Sequence, residues 1–339
     1  MIRVAVDAMG GDRAPQAEVA GASDALATLP DDFLIQLVGR TQVIEAELAK
    51  HPKIDRSRLE VHEAADVIGM GEKPLAAVRR KPESSIVRGL TLQKAGGSDA
   101  FVSAGNTGAV LAGSTLLLGL HHGVDRATVA ALFPTGGAPT LVLDGGANVD
   151  CSARELVGFA YLGSVYMRDL MGRPDPVVGL LNIGEEEEKG GAVVREVHQL
   201  LKQAPRINYA GNIEGRDILP GPWQRVPVDV VVCDGFVGNI VLKFYEAAGR
   251  LFVGLLKDSV PDIFERPAPA ISRLVRLLDY SEYGGAPLLG IRGVSIICHG
   301  SSSANAIKNA IRVAVQASRS GLSQHIGAEF AQREAAAQS

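Results

Sequence analysis

Short runs of aliphatic and β-branched residues recur along the chain, separated by stretches whose apolar residues fall three and four positions apart. The runs at 3–9, 33–39, 100–103, 140–144, 177–182, 207–210, 229–233 and 294–298 read as strands. The stretches 17–27, 108–120, 154–171, 193–203 and 304–317 carry the helical spacing. Strands that are apolar on both faces and alternate with helices predict an α/β fold, a largely parallel sheet covered on both sides. Residues 243–283 break the rhythm, with two helical patterns around Pro261, Pro267 and Pro269 and no strand, and are expected to form a projecting helical hairpin. One catalytic domain over residues 1–331 is expected, with 243–283 as an insertion and the polar, alanine-rich 332–339 as a flexible tail.

Composition narrows the function classes. A chain of 339 residues with 46% hydrophobic and 21% charged residues has ample material for a folded core. A formal net charge of -4 supplies no general attraction for a phosphodiester backbone, so nucleic acid is not an expected partner. The three cysteines, Cys151, Cys233 and Cys298, are too few and scattered for a disulfide framework or a paired-cysteine zinc site. No metal site is expected. Met1 leads directly into an apolar strand pattern, so neither an export leader nor a membrane-spanning helix is expected, and a cytoplasmic location fits.

The candidate chemistry lies where the strands end. Loops rich in Gly, Asn, Asp and Ser follow the runs at 7–12, 103–108, 144–148, 182–185, 211–215, 234–239 and 299–303. Strand ends of a parallel sheet share one edge, where ligands of open α/β sheets bind. Turn formation and helix capping account equally well for any one of these loops. The loop Ser103-Ala104-Gly105-Asn106-Thr107-Gly108 opens a helix and offers unencumbered N–H groups beside two hydroxyls and an amide, which suits a small oxyanion. The chain has neither a Gly-Lys dipeptide nor Gly-x-Gly-x-x-Gly, so ATP and dinucleotides suit it less well than phosphate. The run Glu185-Glu186-Glu187-Glu188 reads as an acidic first helical turn, and Lys189 beside it as a cation for developing negative charge. Asp234 is a candidate general base or orienting acid as well as an N-cap, and Asn239 and His299 are candidate partners. A cysteine nucleophile finds little support, since Cys233 and Cys298 sit in apolar runs and Cys151 has no local histidine.

Taken together, Val6-Asp7-Ala8-Met9-Gly10-Gly11-Asp12, the 103–109 loop, Gly184 to Gly190, Asp234-Gly235-Phe236-Val237-Gly238-Asn239 and the run from Asp279 to Gly290 resemble the bacterial phosphate acyltransferase family, PlsX, from Met1 to about Val315. The resemblance implies transfer of a fatty acyl group from acyl carrier protein to inorganic phosphate, without a cofactor, giving acyl phosphate for phospholipid synthesis. It also implies a three-layer α/β/α fold akin to phosphotransacetylases and isocitrate/isopropylmalate dehydrogenases, a homodimer, and delivery to a membrane glycerol-3-phosphate acyltransferase. On that reading Ser103, Gly105, Asn106, Thr107 and Gly108 hold phosphate, Lys189 stabilises charge, and Asp234, Asn239 and His299 act near the thioester carbonyl. The basic cluster Arg79, Arg80 and Lys81 is expected to steer the acidic carrier protein. The apolar spacing of Phe244, Leu251, Phe252, Leu255 and Leu256, bordered by basic residues, is expected to serve peripheral contact with the inner face of the cell membrane, with core or dimer packing as the alternative. A dehydrogenase on the related fold and a non-catalytic scaffold for lipid enzymes remain the rival functions.

Overall fold

The structure, a computed structural model, describes residues 1–30, 32–134, 139–219, 227–260 and 284–338, without the side chains of 336–338. In chain order its elements are β1 (Ile2–Asp7), α1 (Gln16–Thr28), β2 (Phe33–Gly39), α2 (Thr41–Leu48), β3 (Leu59–Glu63), α3 (Pro74–Arg80), α4 (Ser85–Lys94), β4 (Ala100–Ser103), α5 (Thr107–Leu117), β5 (Thr128–Val129), β6 (Ala131–Phe133) and β7 (Thr140–Leu143). There follow α6 (Ala153–Met171), β8 (Val177–Leu181), α7 (Ala192–Lys202), β9 (Asn208–Ile213), β10 (Val230–Val232), α8 (Gly235–Ser259), β11 (Ala286–Leu289), β12 (Ser295–Ile297), α9 (Ala304–Arg319) and α10 (Leu322–Gln338). They gather into two compact units, Met1–Ala127 with Tyr283–Ser339, and Thr128–Glu282.

In the first unit the strands run in the order β3-β2-β1-β4-β12-β11, parallel except for β11 against β12. Helices α1, α2 and α9 cover one face, and α4 and α5 the other. Val4, Ala5, Phe101, Val102 and Ile296 are buried because β1, β4 and β12 are covered on both sides, which is why these segments read as continuous apolar runs. The tightest helix pairing is α1 on α9. A Cβ at Gly21 would come 2.6 Å from Ile307 Cβ and 2.7 Å from the Ala304 carbonyl, so the crossing depends on a residue without a side chain.

In the second unit the order is β6-β7-β10-β8-β9, with β7, β10, β8 and β9 parallel and β6 antiparallel to β7. Successive residues of β10 face opposite layers, as a strand requires. Val230 lies under α6, where a Cβ on Gly163 would approach its Cγ1 to 2.5 Å. Val231 and Cys233 join Phe133, Val142 and Ile213 in a cluster closed by Val237, Val241 and Tyr245 of α8.

The strand and helix runs read from the sequence match elements within a few residues, and the fold is α/β with mostly parallel pairing and helices on both sheet faces. The parallel strands divide between two sheets. α8 starts at Gly235, eight residues before the expected hairpin, and the hairpin's second half, 261–283, lies outside the described residues. Residues 332–338, expected as a flexible tail, continue α10.

Replacing Gly21 with Leu is expected to lower the stability of the chain by about 1–3 kcal/mol, because the α1–α9 crossing has to open to admit the side chain. The urea midpoint measures it, and an unchanged midpoint would mean that the two helices separate without cost.

Candidate functional site

In the first unit β1, β4 and β12 are parallel and in register, Val6 opposite Val102 and Ser103 opposite Ile297. Their C-terminal ends therefore lie side by side and deliver Asp7, Ser103 and the 298–303 loop to one edge. Asp7 is fully buried. Its Oδ2 accepts from Ser103 Oγ at 2.7 Å and its Oδ1 from the Met9 N–H at 3.0 Å. Burial pushes this carboxyl up, and the bonds from Ser103 and Met9 pull it back. Ser103 Oγ in turn accepts from the Gly105 N–H at 3.0 Å. The loop after β1 passes so close that a Cβ on Gly10 would collide with the Asp7 carboxylate and come within 2.6 Å of the Gly105 nitrogen. The Asp12 N–H donates to the Gly300 carbonyl at 2.8 Å, and Arg13 Nη2 to the Ser301 and Ser302 carbonyls, both at 2.9 Å. Three loops expected at one edge are thus joined there.

Asn106 does not offer its side chain to a ligand. Its Oδ1 caps α5 by accepting from the Ala109 N–H at 3.0 Å, and its Nδ2 donates to the carbonyls of Gly69, Met70 and Glu72 at 3.0–3.3 Å. The amide read as a phosphate donor is here engaged with the chain's own backbone, its Nδ2 meeting carbonyls of the mostly exposed 69–72 loop. What the helix start leaves for an anion is main chain. The N–H groups of Thr107 and Gly108 find no acceptor among the described residues, and Thr107 is exposed. Gly108 has no room for a side chain, since Pro74 of α3 packs against it. His299 is exposed, with Nδ1 2.7 Å from Ser301 Oγ and accepting from the Ser301 N–H at 3.2 Å. In the basic cluster Arg79 and Arg80 are exposed, whereas Lys81 is committed to Glu72 Oε1 at 2.6 Å and the Val67 carbonyl at 2.7 Å. That lysine holds the Glu72 carboxyl below the usual carboxylate range.

Sequence reasoning missed Glu18. It sits in the first turn of α1, 1% exposed, beneath the glycine loop. An acidic residue in a first turn reads as a favourable partner of the helix dipole, and nothing in the local pattern signals that this one is buried.

In the second unit β7, β10 and β8 are likewise parallel, Val232 facing both Leu143 and Leu180. Asp144, Asp234 and Asn182 follow at one edge. Asp144 is fully buried and accepts five hydrogen bonds, Oδ1 from the N–H groups of Val129, Gly146 and Ala147, all at 3.1 Å, and Oδ2 from the Asn148 N–H and Nδ2, both at 2.7 Å. The first turn of α8 lies over this loop. A Cβ at Gly235 would meet the Asn148 backbone at 2.6 Å, and one at Gly238 would collide with the Asp144 carbonyl. Asp234 is the N-cap, Oδ1 accepting from the Val237 N–H at 2.8 Å, and it remains half-buried. Asn239 is exposed and lies against Gly146.

Residues 185–188 are not the first turn of a helix, as their acidity suggested. They form a turn closed by the Lys189 N–H on the Glu186 carbonyl at 3.2 Å and by Asn182 Nδ2 on the Lys189 carbonyl at 3.2 Å, and α7 begins only at Ala192. Gly190, at φ +85° and close to the Asn182 amide oxygen, breaks the helix there. The Lys189 side chain is exposed.

All three cysteines are poor nucleophiles. Burial raises the Cys151 and Cys298 thiols to about 12 and pushes Cys233 up as well, with nearby carboxylates adding to each. Along α8, Phe236, Ile240, Phe244, Leu251 and Leu255 form one exposed apolar stripe, flanked by exposed Phe252 and half-buried Leu256. The stripe begins earlier than the sequence pattern suggested because the helix does. Among the described residues no helix is long and apolar enough to cross a membrane.

A family model described as "Fatty acid synthesis protein" matches residues 2–325. A phosphate acyltransferase of Heliobacterium modesticaldum is 47% identical over 321 residues, 93% of each chain. One of Nostoc punctiforme is 44% identical over 337 residues, 97% of this chain and 96% of the relative. Among solved structures, the EutD phosphotransacetylase from Staphylococcus aureus superposes with a TM-score of 0.60 at 16% identity, covering 94% of both chains. A phosphotransacetylase from Streptococcus pyogenes gives 0.60 at 17%, covering 93% of this chain and 94% of that one. These two share the fold.

Replacing Asn106 with Ala is expected to cost about 1–3 kcal/mol of stability, from the lost cap and the carbonyls left without a donor. Urea unfolding measures it, with Asn106→Asp, which keeps the cap and loses the donors, expected between the two. Wild-type stability in the alanine variant would release the side chain for a ligand role.

Proposed function

Because the chain belongs to the phosphate acyltransferase family, we propose that it transfers a fatty acyl group from the thioester of acyl carrier protein to inorganic phosphate. A phosphate oxygen attacks the thioester carbonyl carbon and a tetrahedral oxyanion forms. The carbon–sulfur bond then breaks with its electron pair on sulfur, and a proton delivered to that thiolate completes the free carrier. Acyl phosphate is the other product. A thioester is already reactive, so holding the two substrates in line and stabilising the oxyanion supply most of the acceleration, and no redox or nucleotide chemistry is needed.

The observation that carries this reading is the start of α5. Two adjacent N–H groups without acceptors among the described residues, on Thr107 and Gly108, open an eleven-residue helix beside an exposed threonine hydroxyl. In this reading phosphate binds to that main chain and to Thr107, while Ser103, Gly105 and Asn106 hold the loop in shape. Within the second unit, Lys189 is the cation for developing negative charge. In the same unit Asp234 orients the amide-rich turn that carries Asn239. His299, whose Nδ1 lies 2.7 Å from Ser301 Oγ, gives an imidazolium proton to the departing sulfur and is left as the neutral ring. Arg79 and Arg80 attract the acidic carrier protein, with Lys81 as the strut that holds their helix end to Glu72. The α8 stripe rests on the anionic inner surface of the cell membrane, or packs in a homodimer, and brings acyl phosphate close to a glycerol-3-phosphate acyltransferase.

Purified protein given long-chain acyl carrier protein and phosphate, without ATP, metal or NAD, is expected to consume the thioester and form acyl phosphate, followed by phosphorus NMR. A thioester that persists in the presence of folded protein overturns the reading. Lys189→Ala is expected to lose about 2–4 kcal/mol of transition-state stabilisation at unchanged melting temperature. Leu255→Glu is expected to release the protein from anionic liposomes while leaving turnover in solution intact. Loss of a dimer instead assigns the stripe to packing.

A further inference from the structure

The first turn of α1 places the carboxyl of Glu18 beneath the glycine loop that follows β1. Its Oε1 lies so close to Gly11 that a Cβ there would collide with it, and its Oε2 is buried without a hydrogen-bond partner among the described residues. On one side that loop touches the approach to α5, through Gly10 against the Gly105 nitrogen. On the other it is tied to the 299–303 loop by the Asp12 N–H on the Gly300 carbonyl and by Arg13 on the Ser301 and Ser302 carbonyls. A carboxyl under a segment that touches both loops, with an oxygen unsatisfied among the described residues, holds that segment differently when neutral and when charged.

We infer that Glu18 is a positioning residue for phosphate, acting through Gly10 to Asp12 on the loop that opens α5, and that its neutral form is the one that favours the anion. The inference rests on the acyltransferase reading above.

The groups bearing on Glu18 come from each neighbouring segment. Asp7 at the end of β1 is a second buried carboxyl and disfavours a negative charge, Arg13 beyond the loop favours it, and the Cys298 thiol after β12 lies within electrostatic reach. α9, which packs along α1, presents Ile307 and the Ala304 carbonyl at Gly21. Burial is the largest influence and raises the Glu18 carboxyl to about 7, opposed mainly by the N–H groups of Glu18 itself and Gly11. The sign follows. As the pH rises through about 7, Glu18 passes from neutral to charged. The charge that appears beneath the loop lies near the Asp7 carboxyl, finds no partner at Oε2 among the described residues, and repels the phosphate held at the neighbouring helix start.

The test is Glu18→Gln, which keeps the shape of the neutral acid at every pH. KM for phosphate and kcat are measured from pH 6 to 8.5 for both proteins. Phosphate's own ionisation is common to the two, so the ratio of wild-type to variant KM isolates Glu18. That ratio is expected near one at pH 6 and to rise about three- to tenfold by pH 8.5, the scale of one charge acting through a protein edge, with kcat at saturating phosphate altered less than twofold. A ratio that stays flat overturns the inference, and so does a loss confined to kcat. If the variant does not fold, hydrogen exchange of the wild-type peptide spanning 8–14, corrected for intrinsic rates, replaces it. Protection is expected to fall between pH 6 and 8, and unchanged protection overturns the inference. Absence of any phosphate-dependent turnover in the wild type defeats the acyltransferase reading instead, and the exchange result then decides on Glu18 by itself.

Discussion

A carboxylate taken out of water at the end of a parallel strand must be given donors by its own loops, and both units are arranged around that requirement. Asp144 is the complete case, five N–H groups converging on one side chain from β5, from its own loop and from Asn148. Asp7 receives fewer and remains partly in conflict with its surroundings, which its raised carboxyl records. To reach such a buried group, the chain has to turn sharply and pass close to neighbouring backbone. Gly10, Gly235 and Gly238 stand where any side chain would strike a strand-end aspartate or its loop. The glycine enrichment of these loops is thus set by clearance around two carboxylates.

The same arrangement decides what is left for a ligand. Asn106 and Asp234 cap α5 and α8, so the side chains that look most reactive in sequence are occupied in holding helices to the sheet edge. The groups released are the main-chain N–H groups just inside the cap. A site of this kind depends on backbone position, and its geometry is sensitive to whatever supports the loops from below. This is why a residue as remote from the surface as Glu18 bears on it.

The fold was largely legible because strands such as 33–39 and 100–103 are buried on both faces and helices such as α7 have one buried side, patterns local enough to read directly. Pairing is not local, and so the division of strands between two sheets was not visible. Strands β3, β5, β6 and β11 were not read, and β3 shows why: in Leu59–Glu63 apolar residues alternate with charged ones and histidine, so no continuous apolar run marks it. Among candidate site residues, position at strand ends was legible for Ser103, Asp234 and His299, since the apolar run before each one stops there. Partners were not. Nothing in the sequence pairs Asn106 with carbonyls 34–37 residues away, or tells that Lys81 is tied to Glu72 while Arg79 beside it is exposed. The acidic run at 185–188 misled because like charges before a helix resemble its first turn, whereas Gly190 and Gly191 delay the helix until Ala192.

The three cysteines bear on how the protein survives its own chemistry. A thiol held protonated neither attacks a thioester nor exchanges with a disulfide at neutral pH, because both reactions run through the thiolate. Cys151, Cys233 and Cys298 are all pushed that way by burial and by neighbouring carboxylates. In a member of a phosphate acyltransferase family, an exposed thiolate would be open to taking the acyl group itself. None of the three thiols offers the acyl group a resting place.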